Sequence, residues 1–430
     1  MIWTAMIGTL FVLLLAGVWI GVALGISGIV IMLIWGGGVP LLAGTLWSSL
    51  DVYGLTAVPA FLFMGEIILK GGIAATIYDS IEPLMARLPG KLLQSNIVLC
   101  AMFAAVFGSS AACAAAVGSV SIPELRKRKY NDRLLLGTVC VGGTLAFMIP
   151  PSGQFVLYGA IAQVSVGALF AAGTIPGIML AVLFMMYLGI HARFDPQIAP
   201  AEEKGLPFKE TVRSLAGLWP LFILMVLCVG PIYAGLATAT ESAGIGAVGS
   251  IIVGCTVGTL RLKGIWEAVK ETSRITSMLF FIMLGAMIMS TAVSTLGLPR
   301  QLIEWVGSLP VSSAVVLIGI YVLYIILGCF FDGISMMLMT LPFVYPIILG
   351  MGFDSVWFGV LLVLVIEIAV VTPPVGMNLY VVQGISGPDT SIKDIFMGSL
   401  PFLVCCCIML AIMSFFPEVV SWLPRLLGMH

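Results

Sequence analysis

The sequence predicts an all-α polytopic membrane protein of two inverted-topology repeats, each with a re-entrant hairpin and a helix broken by a Pro-Pro pair. Three observations predict it: a composition that only lipid can solvate, motifs that recur at one offset, and positive charge that changes place between the copies. Of the 430 residues, 60% are apolar and 9% charged, and mean hydropathy is +1.17, against roughly 25% charged residues in an ordinary soluble domain. A water-soluble fold is excluded. At about 20 residues per span the length allows roughly ten to twelve crossings and leaves little for a separate soluble domain. Lys and Arg (19) nearly balance Asp and Glu (20), so there is no basic face for nucleic acid and no acidic tail.

The elements follow in order. Apolar runs between Gly, Pro and polar punctuation predict helices at 2–16, 17–38, 54–70, 92–107, 111–123, 133–150, 153–165, 168–190, 217–234, 238–260, 275–295, 311–329, 334–350, 355–372, 374–386 and 395–416. Residues 1–38 also fit one long tilted helix. The first basic residue is Lys70, so the apolar start lacks a signal peptide's basic region and is expected to stay attached as membrane helix. Gly17, Gly21 and Gly25 recur every fourth residue, a spacing that suits close helix packing. Stretches 72–87 and 262–273 mix charged and apolar residues and are expected to lie along the membrane surface as arms. The nine cysteines all sit in apolar stretches without CxxC spacing, and they read as packing residues.

The long hydrophilic connection, Arg193 to Arg213, falls near the midpoint and predicts a division into 1–190, a cytoplasmic linker at 191–216, and 217–430. Shifting the sequence by 223 places Phe107 on Phe330, Pro123 on Pro346, Pro150 and Pro151 on Pro373 and Pro374, and Gly153 on Gly376. Nearer the start the shift is 221, which pairs Gly25 and Gly28 with Gly246 and Gly249. Residues 78–169 carry Arg87, Lys91, Arg126, Lys127, Arg128, Lys129 and Arg133, whereas 301–392 carry no Lys or Arg; conversely 35–54 carry none, and 256–275 carry Arg261, Lys263, Lys270 and Arg274. Positive charge marks cytoplasmic loops, so the two copies are expected to face opposite ways, with the linker inside and both termini outside.

Within each copy a short helical pair turns back at a polar tip, FGSS (Phe107–Ser110) and FFDG (Phe330–Gly333), and the two tips are expected to approach each other. A Pro-Pro break follows each: FMIPPSG (147–153) and VVTPPVG (370–376). Paired prolines remove backbone donors and free carbonyls, which a cation or a water-lined cavity would satisfy. Ser109, Ser110, Ser335 and Asp332 bring polar groups to the same depth. Asp332 has no basic neighbour in sequence, so a cation partner is expected. Glu66 and Glu367 also lie in apolar helices, where structural and coupling roles both stand open. The chain has no P-loop, no HExxH and no GxSxG, so neither ATP hydrolysis nor protease or esterase chemistry is expected, and it is read as no enzyme.

FGSSAACAAAVGSVSIPEL, GGTLAFMIPPSG, the FxDG tip and TPPVG together resemble the large membrane subunit of tripartite ATP-independent periplasmic (TRAP) transporters, and the likeness covers essentially the whole chain. One difference is that the first Pro-Pro motif continues as SGQ rather than as a more apolar or proline-containing stretch. The resemblance implies an elevator-type transporter of the ion transporter superfamily, driven by sodium and without an organic cofactor. Its implied partners are a small four-helix membrane subunit and a periplasmic binding protein that delivers an organic acid; the implied location is the bacterial inner membrane. It further implies a first sodium site at Gly108 and Ser109 with Gly142, Gly143, Thr144 and Pro150, and a second at Asp332 and Gly333 with Thr372, Pro373 and Gly376. Substrate would lie among Ser109, Ser110, Ala111, Ser152, Gly333, Ser335 and Asn378. Residues 54–190 and 275–416 would move, while 1–53 and 217–274 would form the scaffold. A stand-alone dicarboxylate or anion carrier, an ion channel and a purely structural subunit remain as alternatives from the residues alone.

Overall fold

The computed structural model describes residues 2–35, 40–50, 53–200, 207–257, 260–308 and 310–429. Part of the linker (201–206) and the ends of the helices expected at 17–38 and 238–260 lie outside the described residues. The first half runs through α1 (Ile2–Leu15), α2 (Ile20–Trp35), α3 (Leu41–Leu50), α4 (Ala57–Lys70), α5 (Ile73–Met85), α6 (Leu92–Phe107), α7 (Ser110–Lys127), α8 (Asp132–Met148), α9 (Gly153–Ala162) and α10 (Val166–Phe194). A short α11 (Phe208–Ser214) leads into α12 (Trp219–Tyr233), α13 (Ala239–Val257), α14 (Leu262–Thr295), α15 (Leu298–Ser308), α16 (Ser313–Gly328), α17 (Gly333–Gly350), α18 (Ser355–Ala369), α19 (Met377–Ser386), α20 (Ile392–Phe415) and α21 (Glu418–Leu426). Eight of the described helical segments are long and apolar enough to cross a membrane, and α1, α2, α6, α16 and α18 are shorter apolar helices.

Within the stretch 1–38, the described residues 2–35 form two helices. The chain turns at Gly17, whose φ of +76° lies in the left-handed region that favours glycine. Gly17 is therefore a turn residue and not part of a packing face. The face that does pack is Gly21, Gly25 and Gly28 on α2, laid along α14. A Cβ on Gly285 would lie 2.0 Å from the Gly21 carbonyl oxygen, and one on Gly21 would lie 2.7 Å from the Phe281 oxygen.

The arm expected at 262–273 is not separate: α14 continues through it for 34 residues. Residues 272–277 hold neither Gly nor Pro, whereas the corresponding stretch before α4, 51–56, holds Gly54, and there the chain makes a 3₁₀ turn at Tyr53–Thr56 before α4 begins. The arm at 72–87 is α5. The short helices α3, α15 and α21 went unanticipated.

Element bounds repeat at the sequence offset: α7 at 110–127 recurs as α17 at 333–350, and α5, α6, α8, α9 and α10 have counterparts in α15, α16, α18, α19 and α20. Both Pro150-Pro151 and Pro373-Pro374 bonds are cis, and Lys129 and Gly352, also 223 apart, both have positive φ. Contacts between the halves are reciprocal. The α7 helix packs on α19 and α17 on α9; α8 packs on α20 and α18 on α10. Six cysteines are buried, Cys329 is half-buried, Cys255 and Cys407 are exposed, and all nine are free.

Candidate functional site

Each tip is a place where one helix ends and another begins. Gly108 closes α6 in the left-handed region (φ +57°), and Ser109 caps α7, its Oγ accepting from Ala112 N at 3.5 Å. A serine at this position supplies an acceptor to an otherwise unpaired helix N–H. At the second tip Asp332 caps α17: Oδ2 accepts from the backbone N–H groups of Ile334 and Ser335, each at 3.1 Å. Two backbone donors thus already meet the carboxylate for which a cation partner is expected.

The breaks are as local as the prolines dictate. Helix α8 continues to Met148, so Gly142, Gly143 and Thr144 lie inside it, one to two turns before the break, with their backbones helical. They are small because the hairpin packs there: a Cβ on Gly142 would lie 3.0 Å from Cys100 Sγ, and one on Gly143 would lie 2.7 Å from Ala114 Cβ and 3.0 Å from Ser110 O. Pro151 cannot donate to Phe147 O; Ser152 does so instead, its hydroxyl donating at 2.5 Å. In the second break Thr372 N donates to Ala369 O at 3.1 Å and Asn378 N to Val370 O at 3.2 Å. Some freed carbonyls therefore have protein partners already.

Each tip meets its own half's break. A Cβ on Gly108 would sit 3.3 Å from Gly153 N and Pro151 O. In the second half, Val375 N donates to Cys329 O at 3.1 Å, and the Cys329 thiol donates to Pro373 O at 3.0 Å. Each tip also meets the other half's break through an amide. Asn378, 2% exposed, donates to Ser110 Oγ at 2.5 Å and to Cys140 O at 3.2 Å. Gln154, wholly buried, lies against Gly333, where an added Cβ would stand 3.0 Å from Nε2. The first break accordingly lies between the two tips. Ala111 is half-buried on α7, Ser335 is buried on α17, and Gly376 begins α19 with φ +56°. Gln154 was not among the residues singled out for the site; its signal was the SGQ departure from the family pattern.

Glu367 is 1% exposed on α18. It faces Thr144, its counterpart under the 223 shift, but the Thr144 hydroxyl donates to Val141 O at 2.8 Å, and both carboxylate oxygens lack a hydrogen-bond partner. Glu66 is half-buried on α4. Among the described residues, no cluster of three or more His, Cys, Asp or Glu could hold a metal ion.

A helical membrane protein whose hairpin tips and broken helices meet across two matched halves belongs to the class of polytopic transport proteins. The comparisons give the family. Residues 7–419 match the family described as "Tripartite ATP-independent periplasmic transporter, DctM component". The chain is 34% identical over 410 residues to the C4-dicarboxylate TRAP transporter large permease protein DctM of Pseudomonas aeruginosa, covering 95% of both chains. It is 30% identical to the sialic acid TRAP transporter large permease protein SiaM of Vibrio cholerae, covering 98% of this chain and 99% of that one. The crystal structure of the Alcanivorax borkumensis YdaH transporter shares the fold, with a TM-score of 0.64, 15% identity and 88% coverage of each chain. The chain belongs to the DctM family of TRAP large permease subunits. It is a multi-pass protein of the bacterial inner membrane and a transport subunit, not an enzyme.

Proposed function

We propose that this subunit carries an organic acid across the inner membrane together with sodium ions, moving the tips and breaks as one body in an elevator motion against a scaffold of 1–53 and 217–274. A small four-helix subunit would brace that scaffold, and a periplasmic binding protein would deliver the acid. The relatives' names, C4-dicarboxylate and sialic acid, support an acidic substrate. The observation that carries the reading is the crossed amide pairing: Asn378 on the first tip and Gln154 on the second. Half-helix ends meeting away from the polypeptide's surface offer N–H groups to an anion and carbonyls to an alkali cation. On this reading one sodium lies by Gly108, Ser109 and the stretch from Gly142 to Pro150, and a second by Asp332, Gly333, Thr372, Pro373 and Gly376. The acid lies among Ser109, Ser110, Ala111, Ser152, Gly333, Ser335 and Asn378.

A two-fold relation between the halves, which the inverted arrangement requires, is supported by Thr144 and Glu367, which face each other although they are counterparts. Matched residues meet only at a symmetry axis, and the reciprocal helix contacts agree with one. The test is uptake by proteoliposomes holding this chain, its small subunit and the binding protein loaded with the acid that copurifies with it. Uptake is expected to require an inward sodium gradient and all three proteins. Equal uptake with potassium in place of sodium, or full uptake by this chain alone, overturns the proposal.

A further inference from the structure

The two crossed amides differ in one respect. Ser110 and Gly333 are counterparts under the 223 shift, so the hydroxyl that Asn378 finds at the first tip has no equivalent at the second. The Gln154 amide, with no exposed surface, is left with neither Nε2 nor Oε1 hydrogen-bonded. A serine could not stand at 333 to serve it, because a Cβ there would lie 2.6 Å from Ile366 Cγ2. Leaving a buried amide without partners is unfavourable, which points to a group that binds there.

The charge at the tip decides its sign. The α17 N-terminus already carries the Asp332 carboxylate on two of its N–H groups, so the charged end of the acid is met by the first tip, capped by the neutral Ser109, only its uncharged part lies by Gly333 and Ser335, and an anion at the Gln154 amide would meet like charge. Both cap bonds fall on Oδ2 of Asp332, which leaves Oδ1 outside the cap. With no hydrogen bond fixing the amide, rotating it by half a turn brings Oε1 to the place beside Gly333 that Nε2 holds. Hard alkali cations take carboxylate and carbonyl oxygens.

We propose that Gln154 of the first half supplies a side-chain carbonyl oxygen to the cation held at Asp332 and Gly333 of the second, so that this site is shared between the halves. The assignment rests on the sodium-coupled reading above and adds to it a ligand outside the two sodium sites named there. It also makes the packing of α9 on α17 part of the cation site.

The test is the melting temperature of the full chain in lipid nanodiscs as sodium chloride replaces choline chloride at constant ionic strength. Gln154→Leu is expected to melt at or above the wild-type temperature in choline, because an unpartnered buried amide has been removed, and to need about tenfold more sodium for half of its shift. Gln154→Glu, which keeps an oxygen in place and adds a negative charge, is expected to hold sodium at least as tightly as the wild type, and Asp332→Asn to lose the sodium-specific shift. A wild-type midpoint in Gln154→Leu, alongside a lost one in Asp332→Asn, overturns the assignment while leaving sodium coupling intact. A Gln154→Leu protein destabilised equally in both salts also overturns it. Absence of any sodium-specific shift in the wild type defeats the sodium coupling itself, and the assignment falls with it.

Discussion

Asn378 shows how much one side chain does at the centre of this molecule. Its amide reaches from the first turn of α19 to Ser110 Oγ and Cys140 O in the other half, and all three residues are buried. Replacing it with leucine removes the Ser110 hydroxyl's donor and a second bond to a carbonyl inside α8, so Asn378→Leu is expected to cost about 1–3 kcal/mol, read as a lowered melting temperature, and to abolish uptake at temperatures where the protein stays folded. Unchanged melting would mean that the contact does not join the halves. Glu367 gives the opposite expectation. Its carboxyl is buried with both oxygens unpartnered, and burying such a group is unfavourable, so Glu367→Gln is expected to raise the melting temperature; a fall would reveal a partner for the carboxyl. Much of this site was legible in the residues, since Ser109, Ser110, Asp332 and the two proline pairs announce a break in helix wherever they stand. Gln154 was not legible as a site residue, because its importance lies in the missing side chain of Gly333 across the interface, which no local pattern carries.

At the scale of elements, the tightest contact described above is the crossing of α2 and α14, where the Gly21 carbonyl occupies the space a Cβ on Gly285 would need. Small residues let membrane helices approach closely, since packing between them replaces the hydrophobic drive they lack in lipid. Gly285→Ala is therefore expected to force the helices apart at a cost of about 1–3 kcal/mol, detectable as lost melting temperature, whereas Gly244→Ala, where an added Cβ meets nothing within 4 Å, is expected to be silent. Equal effects would show that the crossing is loose. Element positions were largely readable because prolines, glycines and apolar runs set them locally. The boundary inside α14 was misplaced because it was inferred from a change of composition at 273–275 and not from a helix-breaking residue. The α15 helix was hidden by its amphipathic character, yet the offset points to it: α5 at 73–85, shifted by 223, falls on 296–308.

For the whole molecule, the decisive matter is which ends of the matched helices share a side of the membrane. Two polar clusters bear on it. In one, Arg126 from the end of α7 donates to Asp132, to Ser386 O and to Thr390, and Arg133 pairs with Asp394 at 2.8 Å, gathering the α7–α8 turn of the first half with the α19–α20 turn of the second. In the other, Tyr345 near the end of α17 donates to Ala162 O at 3.1 Å, and Tyr158 to Ser355 O at 2.7 Å, gathering the α17–α18 turn with the α9–α10 turn. Each cluster joins one turn type from one half to the other turn type from its counterpart, which agrees with the inverted relation proposed above. By the charge rule the basic first cluster is expected on the cytoplasmic side. Lys129 and Gly352 occupy matched turns and share positive φ, which makes them equivalent reporters. With Cys255 and Cys407, the two exposed thiols, replaced by serine, Lys129→Cys is expected to react with a membrane-impermeant maleimide only in inverted vesicles. Gly352→Cys is expected to react only in right-side-out vesicles. Labelling of both from one side would show that the halves run parallel, and a shared set of ion sites between opposed tips would then have no geometric basis.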